Sequence, residues 1–104
     1  MNEYMVTVSL SEDFSGNFSE DFLKRVSAQR GYMNELLLRK VLLNYGLSAD
    51  SNTMWMVFSA DSEDTVEKIL QVLPLRNYVH FHIEKLFTYQ TIWNNHPALN
   101  FQLN

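Results

Sequence analysis

The stretch from Leu73 to Leu86 constrains the fold of this chain more than any other part of its sequence. It contains the end of an amphipathic helix, a proline at position 74, and then a run in which apolar and polar residues alternate. A proline disfavours helical geometry at the residue before it, so the helix ends there. Alternation with a period of two is typical of a strand that buries one face. The apolar face carries Val79, Phe81 and Ile83, and the other face carries Tyr78, His80, His82 and Glu84.

Similar patterns along the chain predict four strands and two helices. The predicted elements are a strand over 4–10, a helix from its N-cap Ser19 to about Arg39, strands over 41–49 and 54–60 joined by a turn, a helix from its N-cap Ser62 to Leu73, and a strand from about 77 to 87. This β-α-β-β-α-β order with right-handed crossovers predicts a ferredoxin-like α+β fold, in which a four-stranded antiparallel sheet has both helices on one face.

The first predicted helix has an apolar stripe with one glycine inside it. The stripe comprises Phe22, Val26, Met33 and Leu37. Gly31 costs about 1 kcal/mol relative to alanine in such a helix. We interpret it as a sign of tight helix packing or a mild kink, and the alternative is close approach by a ligand or a second backbone.

Length and charge exclude several classes of protein. A chain of 104 residues with 46% hydrophobic residues fits one globular domain, which we assign to residues 1–88. The net charge is −4 and the eight basic residues are scattered, which argues against nucleic-acid binding. The lack of cysteine excludes disulfides, thiolate catalysis and cysteine-based metal sites. No signal peptide and no apolar run of roughly 20 residues is evident, so we expect a cytoplasmic protein without a membrane partner.

Residues 89–104 form a C-terminal tail that is too apolar to remain in solvent. Its large apolar side chains are Ile92, Trp93, Leu99, Phe101 and Leu103. Burial of one such side chain stabilises a protein by roughly 1.5–3 kcal/mol. We therefore expect the tail to pack on its own domain or on the partner subunit.

The sheet face without helices carries an unusual mixture of side chains. Alternation places Ser9, Asn44 and Trp55 on it, and we predict that they line a ligand cleft together with Tyr78. This face is too apolar for open water, and too polar for a dry core because buried imidazoles and carboxylates need partners. Two such sheets facing each other would enclose a partly wet cavity. We therefore predict a homodimer that closes a barrel between its subunits and leaves room for a small-molecule ligand.

The two histidines on this face, His80 and His82, admit three interpretations. They are hydrogen-bonding or interface residues, or one of them is a general acid or base, since histidine titrates near neutral pH, or they bind a metal ion. The third is least favoured, because the Cα of Glu84 lies roughly 13 Å from that of His80 along an extended strand. We predict no metal and no cofactor, and the sequence also lacks a glycine-rich phosphate loop.

With these residues in view, the sequence resembles muconolactone delta-isomerase and its relatives. The similarity is best over 58–86, where it runs without a gap. The residues that carry it are Phe58, Ser62, Asp64, Leu70, the Leu73-Pro74-Leu75 stop, Tyr78 and Leu86. In that family the strand after the stop also alternates, but its polar positions are largely acidic, whereas two of them here are His80 and His82. The order of elements extends the resemblance weakly over 4–87.

The resemblance implies a dimeric α+β barrel with a cleft between the sheet and the partner, often assembled further. It also implies isomerisation of an unsaturated lactone by proton transfer without a cofactor. One departure limits what carries over. The family's tryptophan- and arginine-rich stretch entering the second strand is replaced here by Leu42-Leu43-Asn44-Tyr45-Gly46-Leu47. The fold is therefore carried over and the substrate is not.

Three hypotheses for the function follow. The first is a cofactor-free isomerase in which His80 or His82 carries the proton and Glu84 orients that histidine. The second is a protein that binds a small ligand in the same cavity without reacting it. The third is an assembly module whose polar strand only pairs with a partner subunit. A cavity lined by these side chains would favour the first two hypotheses, and flush packing against a partner would favour the third.

Overall fold

A computed structural model of the chain describes residues 1–11, 19–49 and 53–90. Its elements, in chain order, are β1 (Asn2–Leu10), α1 (Glu20–Leu38), β2 (Leu42–Leu47), β3 (Thr53–Ala60), α2 (Glu63–Gln71), a 3-10 turn (Arg76–Tyr78) and β4 (Val79–Lys85). The predicted β-α-β-β-α-β order is confirmed.

The four strands form one antiparallel sheet in the order β2-β3-β1-β4. The central strands are therefore β3 and β1, and β2 and β4 lie at the edges. This is the predicted ferredoxin-like arrangement. A bulge in β2 between Leu42 and Asn44 shifts its register against β3. A bulge places two residues opposite one on the partner strand, so it changes which face the following side chains occupy.

The core fills the space between the two helices and one face of the sheet. Its buried members include Tyr4, Val6, Val8, Met33, Leu36, Leu42, Met56, Phe58, Val66 and Leu70. Three of these come from β1 at every second position, as the alternation of that strand predicts. The helix-covered face is thus packed by the residues that the sequence pattern assigns to it.

Both helices begin where the sequence predicts. The side chains of Ser19 and Ser62 accept hydrogen bonds from the backbone N–H groups of Phe22 (3.1 Å) and Thr65 (3.3 Å). Each first turn also carries two acidic residues, which favour the positive end of a helix. The second helix ends at Gln71, two residues before the predicted end.

The buried side of α1 differs from the predicted stripe. Its buried residues are Phe22, Gln29, Met33 and Leu36. Val26 and Leu37, which the stripe includes, are only partly buried. A Cβ built on Gly31 would meet no atom within 4 Å. Neither tight packing nor close approach by another backbone of the described chain therefore explains this glycine.

Some sequence predictions fall on residues that the structure does not describe. The tail 89–104 lies outside the described residues except for Tyr89 and Gln90, and so does the turn that joins β2 to β3 at 50–52. Within the described ranges, no helix has both the length and the apolar character needed to cross a membrane.

Candidate functional site

The sheet face that carries no helix, called the open face below, brings most of the predicted site residues together. Directly paired residues of neighbouring strands present their side chains side by side. The Trp55 row consists of Gly46, Trp55, Thr7 and His82, and the Asn44 row consists of Asn44, Val57, Met5 and Glu84. A third row consists of Thr53, Ser9 and His80. The predicted site residues on this face are Ser9, Asn44, Trp55, His80, His82 and Glu84.

Trp55 lies across Gly46 of the neighbouring strand. A Cβ built on Gly46 would come within 2.2 Å of the Trp55 indole, so the ring occupies space that any other residue at position 46 would fill. The residue remains 38% exposed. Trp55 therefore provides an apolar platform on which a planar molecule can stack.

His82 and Glu84 are neighbours on the edge strand β4. Nε2 of His82 lies 3.8 Å from Oε1 of Glu84, and the two side chains are 70% and 67% exposed. This distance allows an ion pair but is too long for a hydrogen bond. Exposed pairs of this kind contribute little to stability. The pair therefore contributes little to the fold, and both side chains are accessible to a molecule on the open face.

Within their row, Trp55 and His82 lie on either side of Thr7 and are therefore one strand apart. Neighbouring strands lie about 4.7–4.9 Å apart, so the backbones of β3 and β4 are about 9–10 Å apart across β1. One small ring with its substituents can span that distance. The Trp55 row thus presents an indole, a hydroxyl and an imidazole in that order across the sheet.

His80 occupies a different environment from His82. It pairs across the sheet with Ser9, in the third row. Of these two histidines, only His82 has a carboxylate of the described residues within ion-pair distance. His80 also borders a shallow groove of about 230 Å³ between α2 and β4, whose helix side includes Leu70 and Gln71. The two histidines that the sequence treats alike are therefore not equivalent.

The prediction that Tyr78 shares the open face is wrong. Tyr78 is the last residue of the 3-10 turn, so the alternation of β4 does not extend to it. Its hydroxyl donates a hydrogen bond to Oδ2 of Asp21 (2.9 Å), and its ring meets Phe22 edge-on with the centroids 5.2 Å apart. Tyr78 thus ties the start of β4 to the first turn of α1.

These contacts shift two pKa values. The hydrogen bond from Tyr78, followed by that from Arg25, lowers the pKa of the Asp21 carboxyl group. The bond to Asp21 in turn raises the pKa of Tyr78. Arg25 also donates to the carbonyl of Pro74 (3.0 Å), so the cluster joins α1 to the turn after α2. Its role is structural.

Tyr89 joins the open face, although the sequence does not single it out. The side-chain amide of Asn44 donates a hydrogen bond to the hydroxyl of Tyr89. Tyr89 follows β4 at one edge of the sheet, whereas Asn44 lies in β2 at the other edge. The bond joins residues 45 positions apart, so no local pattern could have revealed it.

The open face combines side chains that form hydrogen bonds, stack on rings and exchange protons. In the part of the chain that the structure describes, no three His, Asp or Glu side chains are placed to hold a metal ion. The third histidine, His96, lies outside those residues. An imidazole, a carboxylate, an indole and several hydroxyl groups together can hold a polar ring and transfer a proton on it.

Comparison with known proteins identifies the fold. No family model matches the sequence, and no curated protein matches it. A crystal structure of muconolactone isomerase is similar, with a TM-score of 0.71 at 13% identity over 86% of this chain and 92% of that chain. The 5-chloro-2-hydroxyhydroquinone dehydrochlorinase from Burkholderia phenoliruptrix, in complex with 2,5-dihydroxybenzoquinone, has a TM-score of 0.64 at 13% identity over 84% and 95%.

These similarities confirm the resemblance to muconolactone isomerase at the level of the fold. Both solved chains are covered almost completely, so the shared part is the whole ferredoxin-like domain and not a fragment of it. At 13% identity the architecture is shared, whereas the activity has to be argued from the residues of the open face.

Proposed function

We propose that this protein is a muconolactone isomerase-like enzyme that isomerises a small organic molecule by proton transfer without a cofactor. The observation that carries the proposal is the Trp55 row, which brings an exposed indole, the Thr7 hydroxyl and the imidazole of His82 into one line across the open face. The similar solved proteins are named for muconolactone and for 5-chloro-2-hydroxyhydroquinone, which are both small cyclic molecules.

His82 is the proton carrier in this proposal. Its neutral imidazole takes a proton from the saturated carbon at the far end of an α,β-unsaturated carbonyl system, so that a C–H bond breaks, an N–H bond forms and the electron pair enters a dienolate. The imidazolium then returns the proton to the carbon beside the carbonyl group. The double bond moves, and the atoms and the total charge are unchanged. Glu84, 3.8 Å from Nε2 of His82, stabilises the imidazolium between the two steps.

The site needs a cover, which we propose is a second copy of the chain. His82 and Glu84 are largely exposed, and exclusion of water strengthens the electrostatic interactions on which proton transfer depends. Two open faces packed together would enclose the rows and form the dimeric barrel. A stable interface of this kind buries more than about 1,000 Å². Light scattering at micromolar concentration is expected to give the mass of a dimer, and a monomer would contradict the proposal.

We further propose that the tail 89–104 contributes to this cover by packing on the partner subunit. Its first residue, Tyr89, already lies over the open face through its bond to Asn44. Truncation after Thr88 is expected to weaken the dimer and to lower the melting temperature. A truncated protein with the same melting temperature and the same dimer would contradict this role.

Isotope exchange tests the chemistry directly. The wild-type protein is incubated with muconolactone in D₂O, and NMR follows both deuterium uptake on carbon and movement of the double bond. His82→Gln is expected to lower the rate by about 10²–10⁴, the usual contribution of a general acid or base.

His80→Gln is the matched control. It removes an imidazole from the same strand and the same face, but one that pairs with Ser9 and has no carboxylate of the described residues within ion-pair distance. We expect it to retain most of the rate. Equal losses in the two variants, or an unchanged rate in His82→Gln, would contradict the assignment of the proton carrier to His82.

The alternative function is non-catalytic binding of a small ligand. The placement of Trp55 over Gly46 favours it, because a stacking platform needs no reactive neighbour. If muconolactone or 2,5-dihydroxybenzoquinone binds in calorimetry but neither exchanges a proton, the protein is a binding protein. If neither binds and the histidines pack flush against the partner subunit, the open face is an assembly surface.

A further inference from the structure

The chain that leaves β4 turns back over the open face within a few residues. The backbone N–H of Leu86 still donates to the carbonyl of Glu3 (2.9 Å), which keeps this residue beside β1. The side chain of Tyr89, three positions later, has reached Asn44 on the far edge strand. Residues 86–89 therefore form a strap across the sheet, and the hydroxyl of Tyr89 lies at the end of the Asn44 row.

The direction of the hydrogen bond leaves the phenol proton available. The side-chain amide nitrogen of Asn44 is the donor, so the oxygen of Tyr89 is the acceptor. A tyrosine hydroxyl accepts and donates at the same time. None of the described residues takes the proton of this hydroxyl in a hydrogen bond. Asn44 thus fixes the oxygen and leaves the O–H group to donate elsewhere.

The surroundings of Tyr89 keep that proton in place. Burial and then the negative charge of Glu3 raise the pKa of Tyr89, and the bond from Asn44 acts in the opposite direction. A tyrosine is already protonated at neutral pH, so the net increase makes ionisation still less favourable. The hydroxyl is therefore a hydrogen-bond donor throughout the physiological pH range.

The donor lies next to the stacking platform. Asn44 and Gly46 are two residues apart on the same face of β2, which places them about 6.8 Å apart along the strand. The Trp55 indole covers Gly46, and the Tyr89 hydroxyl is held at Asn44. A planar ring stacked on the indole would therefore have the phenol proton at its edge.

We propose that Tyr89 contacts the ligand directly, and that its hydroxyl donates a hydrogen bond to a carbonyl oxygen of a planar, unsaturated ring that stacks on Trp55. Unsaturated lactones and quinones have this chemistry. The inference rests on the proposed function, because it takes the open face as the ligand site. It adds a residue to that site and selects ligands that carry an acceptor oxygen at the edge of the ring.

Calorimetric titration with 2,5-dihydroxybenzoquinone tests the inference. Tyr89→Phe removes only the hydroxyl, and loss of one neutral hydrogen bond is expected to weaken binding about 3- to 10-fold. Tyr45→Phe is the matched control, because Tyr45 lies in β2 but pairs with Met56 of the helix-covered face. It is expected to bind as the wild type does. Asn44→Leu should weaken binding alone and add little when combined with Tyr89→Phe.

A second measurement on the wild-type protein does not depend on a variant folding. In the complex, NMR is expected to show cross-relaxation between the ring protons of the probe and those of both Tyr89 and Trp55. Equal affinity in the wild type and Tyr89→Phe, or a complex without contacts to Tyr89, would overturn this inference and leave the proposed function standing. A wild-type protein that binds neither this quinone nor muconolactone would overturn both.

Discussion

The two faces of the sheet belong to the same strands and differ in what their side chains do. On the helix-covered face, Val6, Met56 and Phe58 have no exposed surface. On the open face, which is formed by the alternate positions of the strands, His82 and Glu84 of β4 are mostly exposed. Because successive side chains of a strand point to opposite faces, those of the helix-covered face can specify the fold while those of the open face remain available for chemistry. Stability and function should therefore respond to different substitutions.

The largest expected effect is the loss of a core side chain on the helix-covered side. Leu70 is 2% exposed, and Leu70→Ala should lower the free energy of unfolding by about 2–5 kcal/mol in a denaturant melt. His82→Gln on the open face is the control and should change it by less than about 0.5 kcal/mol. A loss well under 1 kcal/mol for Leu70→Ala would mean that the faces are not separated in this way.

A smaller effect is expected at the one buried polar residue of α1. Oε1 of Gln29 accepts a hydrogen bond from the backbone N–H of Leu75 (3.0 Å), and Gln29 is 6% exposed. Gln29→Met keeps the shape but leaves that N–H without a partner, at a cost of about 1–3 kcal/mol. Gln71→Met removes an exposed glutamine and should cost less than about 0.5 kcal/mol. Equal costs would show that the bond to Leu75 is not needed.

Substitution of alanine for two of the glycines should change the stability of the protein in opposite directions. Gly31 is exposed in α1 with no atom near its added Cβ, so Gly31→Ala should stabilise the protein by about 1 kcal/mol. Gly46→Ala should displace the Trp55 ring and destabilise by about 1 kcal/mol. Thermal melts and the indole N–H resonance of Trp55 measure both effects. The same sign for the two variants would contradict the placement of Trp55 over Gly46.

The smallest expected effect is a pH dependence at the Tyr78–Asp21–Arg25 cluster. The folded-state pKa of Asp21 is lowered, so its stabilisation is present above the unfolded-state value of about 3.9 and is lost as the pH falls through the folded value. The raised pKa of Tyr78 acts in the opposite sense, and its stabilisation is present below about pH 10 and is lost above its folded value. The destabilisation caused by Asp21→Asn should therefore be largest near neutral pH and shrink in acid.

A neighbouring carboxylate provides the control for this pH profile. Glu20 lies in the same first turn of α1, and Glu20→Gln removes its interaction with the helix dipole. Unfolding is followed from about pH 3 to pH 9 for the two variants. A profile for Asp21→Asn that matches that of Glu20→Gln would show that the bonds from Tyr78 and Arg25 add nothing.

Much of the fold could be predicted from short-range patterns, and the site only in part. Ser19 and Ser62 mark the helix starts because a cap needs only the next three residues. His80, His82 and Glu84 share a face because alternation within one strand is local. Tyr78 was misplaced because the same alternation continues into the 3-10 turn, where the backbone no longer has the period of a strand. The buried side of α1 was misjudged because Gln29 is polar, and its partner lies 46 residues away.

The sequence by itself determined the order of elements, the starts of both helices and the two faces of β1, β3 and β4. The sequence also assigns Asn44 to the open face, but only the tertiary structure shows how it lies there while Leu42 is buried on the other face. The bulge after Leu42 reverses the alternation, so that Asn44 pairs with Val57. The tertiary structure also decided that Tyr89 meets Asn44 across the whole sheet. Caps, prolines and alternation act within a few residues, whereas bulges and cross-sheet contacts depend on strands that are distant along the chain.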